Sequence, residues 1–164
     1  MKIKARQAAI PFALTTALLF CGVSLAADNA ALHDHDHGDA SFELQLDNGQ
    51  KWAIDPPLRK AMNDINGAMR SSLEAIHQDR LSDEDYAALA NQVNDGVAYM
   101  VANCELPPDA DAQLHMVIAQ LMAGSQKMTG DSDASARDGA VQVLGALDAY
   151  AQYFDHADFV PAAH

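Results

Sequence analysis

From residue 56 onward the apolar positions recur at steps of three and four, the spacing of one face of a helix. Leu58, Met62, Ile65, Met69 and Ile76 form a first stripe, interrupted once near Ser72 and Leu73. Asp55-Pro56 in front of it reads as an N-cap followed by a proline at the first helical position, so a helix is predicted from Pro56 to about Gln78. A second opens at Ser82 with acidic residues in its first turn and carries Tyr86, Leu89, Val93, Val97, Met100 and Cys104. After Pro107-Pro108 a third turns Leu114, Ile118, Leu121 and Met128 inward and stops near Gly130. A fourth, capped by Asp131 or Ser132, carries Ala140, Val143, Leu147, Ala151 and Phe154. Helices of about 20 residues on connections this short must be antiparallel neighbours. The expected fold is all-α, an up-down-up-down antiparallel four-helix bundle over residues 56–156, with a tail at 157–164.

Upstream the pattern changes. Phe42, Leu44 and Leu46 alternate with polar residues, Asp47-Asn48-Gly49 marks a turn, and Trp52 and Ile54 alternate again. This predicts a short β-hairpin-like segment over 42–55. A lone hairpin is marginal in water, so its apolar face must lie on the bundle, with Trp52 as a lid on the end of the core. Residues 28–41, DNAALHDHDHGDAS, hold too little apolar content to offset their own ordering and are expected to form a flexible leader. Residues 1–27 have the form of an export signal: Lys2, Lys4 and Arg6, then an apolar run from Ala8 to Leu19 too short for a membrane span. Ser24, Ala26 and Ala27 offer cleavage after Ala26 or Ala27. A bulky Phe20 before Cys21 argues against lipid modification there, so Cys21 is expected to leave with the signal. The expected location is the periplasm, as an exported soluble protein.

Composition narrows the function classes. Few aromatics, seven methionines and abundant alanine suit helices packed through small and flexible side chains, and 164 residues suit one domain. The formal charge of −13 becomes about −16 once the three cationic residues of the signal are gone. That excludes a nucleic-acid partner, which needs a basic patch, and favours cations or basic protein surfaces. Cys104 is then the one remaining cysteine, so no internal disulfide forms. The sequence contains no Gly-rich phosphate loop, GxSxG, HExxH or CxxC pair, and a non-enzymatic role is expected.

Two places carry candidate metal chemistry. In the leader His33, His35 and His37 alternate with Asp34 and Asp36, a mobile set of imidazoles and carboxylates suited to Zn, Cu(II) or Ni. In the bundle, up-and-down topology gathers Met62, Met100, Cys104, His115, Asp155 and His156 near one pole, where thioether, thiolate and imidazole would suit Cu(I) or Zn. Each of these also has a structural reading. Met62 and Met100 lie on core stripes, Cys104 ends one, and His115 adjoins its own. Cys104 and His115 fall ~10 to 15 Å apart along the axis of ideal helices, so a shared metal requires the second helix to end before Cys104. His77, near the other pole, reads as an exposed residue favoured by the helix C-terminus.

In outline the chain resembles the small periplasmic four-helix cytochromes, and Leu58-Arg59-Lys60-Ala61-Met62-Asn63-Asp64-Ile65-Asn66 looks like the first helix of the b-type member. That resemblance implies haem held by Met62 and His156, although no CxxCH is present for covalent attachment. His156 lies about 200° round the helix from inward-facing Phe154, so on a continuing helix it points outward. The phrases KWAIDPPLRKAM, NCELPPDADAQLH and YAQYFDH are more closely similar to a group of short exported proteobacterial proteins without an established activity. The expected role is metal binding or buffering, with a Cu- or Zn-class ion taken by His33, His35, His37, Cys104 and His115. A b-type haem electron carrier is the alternative from another class. A third is an acidic interaction module that meets an envelope protein.

Overall fold

A computed structural model of the chain describes residues 43–162. Among these it contains the helices α1 (Pro56–His77), α2 (Asp83–Asn103), α3 (Pro108–Met128) and α4 (Ala136–Tyr153). Each begins where the sequence supplies a start signal. The Asp55 carboxylate accepts from the Leu58 N–H ahead of the prolines of α1, and Ser82 and Asp85 close a reciprocal capping box on α2. The same box, Ser135 with Asp138, starts α4. This corrects the expected cap at Asp131 or Ser132. Those residues lie in a Schellman-type turn that ends α3, with Gly130 at φ +80° and the Asp131 N–H donating to the Gln126 carbonyl. α1 ends in the same way, but with Asp79 held at φ +51° where glycine is usual.

The four stripes meet in one core, so the bundle expected from the pattern is the fold observed. Leu58, Met62, Ile65, Met69 and Ile76 of α1 are fully buried, and they pack with Val93 and Met100 of α2, Leu121 of α3 and Leu147 of α4. α3 and α4 approach backbone to backbone. A Cβ built on Gly139 would stand 2.5 Å from the Gly124 carbonyl oxygen, and one on Gly124 would stand 2.7 Å from that of Gly139. Gly96 makes a lesser close approach between α1 and α2, against the end of the Ile65 side chain.

The described segments that flank the helices are built onto this bundle. Of the expected hairpin the described residues form the turn, Asn48-Gly49 with both φ positive and one bridge between Asp47 and Gln50. Its second arm pairs elsewhere. The Trp52 N–H donates to the Tyr153 carbonyl, the Asp155 N–H donates to the Trp52 carbonyl, and Trp52 thereby forms a parallel bridge with Phe154. The Trp52 indole N–H donates to the Gln45 carbonyl at 2.6 Å, and its ring packs half-buried against the core as the expected lid. The tail is also ordered against α1. Asn66 donates to the Val160 carbonyl and accepts from the Ala162 N–H, and Ala162 is buried. Paired both ways, the amide holds the tail much as a strand edge would.

The pole of the bundle and the candidate ligand residues

His33, His35 and His37 lie outside the described residues. The remaining candidates are placed by the ends of the helices.

α2 stops at Asn103, and Cys104 follows in an extended conformation at φ −75°, ψ 139°. That break is the one a fold-back of the thiol requires. The thiol turns to Asp55, however, whose second carboxylate oxygen also accepts from the Glu105 N–H at 2.7 Å. One aspartate therefore caps α1 and fixes the loop between α2 and α3, and its charge and hydrogen bonding favour the protonated Cys104 thiol. Burial first, then the charge and hydrogen bond of Asp55 and the charge of Asp111, push the Cys104 thiol up to about 12. A thiol so held is a poor nucleophile, since that role needs the thiolate.

His115 sits on the outer face of α3. Its Nδ1 lies 2.9 Å from the Asp111 carbonyl oxygen and 3.4 Å from the Asp111 carboxylate. A carbonyl only accepts, so Nδ1 carries a proton, and in the neutral ring Nε2 presents its lone pair. The side chain is 64 % exposed. An imidazole oriented through one nitrogen with the other free is the arrangement of a metal-ligating histidine. Cys104 and His115 thus face different partners, Asp55 and Asp111, rather than each other.

Beside His115, α3 and α4 leave an apolar-lined groove of about 750 Å³, walled by Met116, Val117, Ala146 and Ala149 and lipped by Glu43, Leu44 and Gln45. The Gln45 N–H is tied to the Gln113 side chain at 2.8 Å across one end.

The continuing helix that would turn His156 outward does not form, and the imidazole is turned inward. α4 ends at Tyr153 and Phe154 is extended, so the helical register no longer applies two residues on. The imidazole is buried, its Nδ1 is 3.0 Å from the Tyr150 hydroxyl, and its ring packs on Phe159 with centroids 4.9 Å apart. Burial, then the positive charge of Arg59, hold His156 below the usual histidine range, against a smaller opposing effect of Asp158. Tyr150 also stacks on Phe154 at 5.1 Å and meets Phe159 edge-on at 5.0 Å. These rings are in contact with one another, and Met62 is enclosed in the core. A macrocycle between Met62 and His156 would have to displace the cluster, so the residues do not fit haem as they stand. Met100 is core as well, Asp155 is exposed, and His77 is exposed in the last turn of α1.

Among the described residues no three His, Cys, Asp or Glu side chains converge in a way that would hold a metal ion. No helix among them is long and apolar enough to cross a membrane. Sequence reasoning missed Asp55 as the hub of the pole and Tyr150 as the partner of His156. The first was legible as an N-cap, but its reach to a loop 50 residues away was not. The fold and the pole define an all-α bundle in which the buried Asn66 and His156 tie the C-terminal tail to α1 and α4. No family model, curated protein or solved structure matches the chain.

Proposed function

We propose that the chain is an exported, non-enzymatic metal-binding protein of the envelope, in which the bundle is a carrier and the leader is the ligand. The observation that carries this reading is the alternation of His33, His35 and His37 with Asp34 and Asp36 immediately after the export signal. Neutral imidazoles and carboxylates two residues apart provide nitrogen and oxygen donors to a borderline cation, and a Cu(II)- or Zn-class ion is the match. The acidic balance of the chain adds long-range attraction for cations. His115, with Nδ1 held by Asp111 and Nε2 free, is the one ligand on the bundle with the right orientation. We assign Cys104 to the architecture of the pole instead, because its proton is held by burial and Asp55.

The test is elemental analysis with an absorption spectrum on protein exported natively without a His tag, followed by calorimetry with Zn and Cu(II). Stoichiometric metal without a Soret band supports the reading. A Soret band would transfer the function to haem. Unchanged binding in the His33/His35/His37→Ala variant would remove the leader from the mechanism.

A further inference from the structure

Beyond the end of α4 the chain crosses the bundle with few attachments. In the segment 156–162 His156 and Ala162 are buried, Phe159 and Pro161 are half-buried, and Ala157, Asp158 and Val160 are exposed. The segment has no helix or strand of its own. One end is held on α4, where His156 lies 3.0 Å from the Tyr150 hydroxyl. The other is held on α1, where Asn66 donates to the Val160 carbonyl at 2.9 Å and accepts from the Ala162 N–H at 2.8 Å. Arg70 donates to the same carbonyl. Phe159 links the two ends: its N–H donates to the His156 carbonyl, and its ring lies 4.9 Å from that of His156 and 5.0 Å from that of Tyr150. A segment attached at so few points opens locally, for less free energy than the helices beneath it.

One of its anchors is titratable. An imidazolium at His156 would stand between the rings of Tyr150 and Phe159, away from water. The charged groups that face it are Arg59 on α1, of the same sign, and Asp158 in the segment itself, of the opposite sign. Tyr150 on α4 is the remaining titratable neighbour, and burial keeps its hydroxyl neutral. Burial, then Arg59, outweigh Asp158, so the closed segment holds a neutral ring. Once released, the ring meets water and takes a proton at its ordinary value near ~6.5. We propose that residues 156–162 form a proton-released strap, closed across α4 and α1 at neutral pH and freed by acid while the four helices stay in place. The device needs no metal and acts whether or not the leader binds one.

The test is amide hydrogen exchange followed by NMR on the full chain at pH 7.5 and 5, with rates corrected for the intrinsic pH dependence of exchange. Protection at Ala162 should fall about tenfold, and by no more than the roughly thirtyfold limit set by a free histidine near ~6.5. Unchanged protection overturns the proposal. At pH 5 Ala162 should also be at least about tenfold less protected than Met69 and Leu147 inside the helices. Equal protection overturns the strap, because the segment would then open only when the whole bundle unfolds. His156→Gln keeps an acceptor for the Tyr150 hydroxyl but cannot titrate, so the fall should vanish there, and a fall that persists overturns the assignment to His156. The unmodified chain carries a test that survives a failure of this variant to fold. Its His156 ring protons must titrate below ~6.5, and a ring that titrates at or above that value overturns release by protons.

Discussion

The Tyr150 hydroxyl lies 3.0 Å from Nδ1 of His156, with the end of helix α4 between them. Six residues apart, the two would lie on different faces of a continuing helix; the extended Phe154 is what returns the imidazole to the tyrosine. The pair closes the pole over Phe159 and leads into the tail held by Asn66. It also makes the closure sensitive to protons. The groups that face His156 are Tyr150 on α4, Arg59 on α1 and Asp158 in the tail; burial, the largest effect, and Arg59 disfavour the imidazolium.

The folded state therefore binds a proton on His156 less readily than the unfolded chain, whose histidine titrates near ~6.5. The stability this group contributes is complete above about pH 6.5 and is lost as pH falls through the lower folded value. Urea midpoints should decline from pH 7.5 to 5, and the part due to His156 should vanish in His156→Phe. That variant should also be about 1 to 3 kcal/mol less stable at pH 7.5, because the buried Tyr150 hydroxyl loses its partner. An acid slope identical in both chains would refute the assignment.

Glycines at close approaches and glycines in the open should respond in opposite directions. Gly145 in α4 has nothing within 4 Å of a built Cβ, so Gly145→Ala should stabilise by about 0.5 to 1 kcal/mol through backbone entropy. Gly139→Ala must push α4 off the Gly124 carbonyl and the Met128 backbone. A loss of at least the ~1 to 3 kcal/mol typical of overpacking is expected, since backbone cannot yield as a side chain does. Thermal unfolding of the two variants decides this.

The difference between these glycines is absent from the sequence, and it shows where the reading of residues stops. The stripes of α1 to α4 were legible because burial imposes a period on every turn. Asp55-Pro56 was legible because a cap acts over three residues. What lay beyond reach depended on chain reversals. The direction of His156 turned on where α4 ends, three residues earlier, and the Asp55 link to Glu105 joins elements 50 residues apart. The cap of α4 was available as Ser135 with Asp138, but Asp131 and Ser132 offered the same residue types four and three positions before Ser135. At the pole, the residue types that suggested ligands were present together, but hydrogen bonds sent Cys104 to Asp55 and His115 to Asp111.

Metal binding by the leader should depend on pH with the opposite origin to the fold's acid sensitivity. Ligation needs neutral imidazole, so affinity for Zn and Cu(II) should collapse as pH falls to about 5. His156→Phe should retain this collapse while losing its share of the stability slope. Calorimetry at pH 7.5 and 5 on both chains separates the two titrations, and pH-independent affinity would exclude histidine ligands.

Cys104 supplies the sharpest chemical test of the pole. With its thiol pushed up to about 12 by burial and Asp55, only a trace of thiolate exists at pH 8. An ordinary cysteine near ~8.5 is already about a quarter thiolate there, so the native protein should react with Ellman's reagent roughly a thousandfold more slowly than the urea-unfolded chain. Asp55→Asn removes the charge while keeping a good N-cap residue for α1. It also gives up one acceptor, so Leu58 and Glu105 compete for a single oxygen and about 1 kcal/mol of stability is expected to be lost. Thiol reactivity should rise in this variant, but not to the unfolded rate, because burial is the larger cause and remains. A native chain that reacts at the unfolded rate would show that the thiol is free of Asp55. Cys104 would then return as a candidate metal ligand.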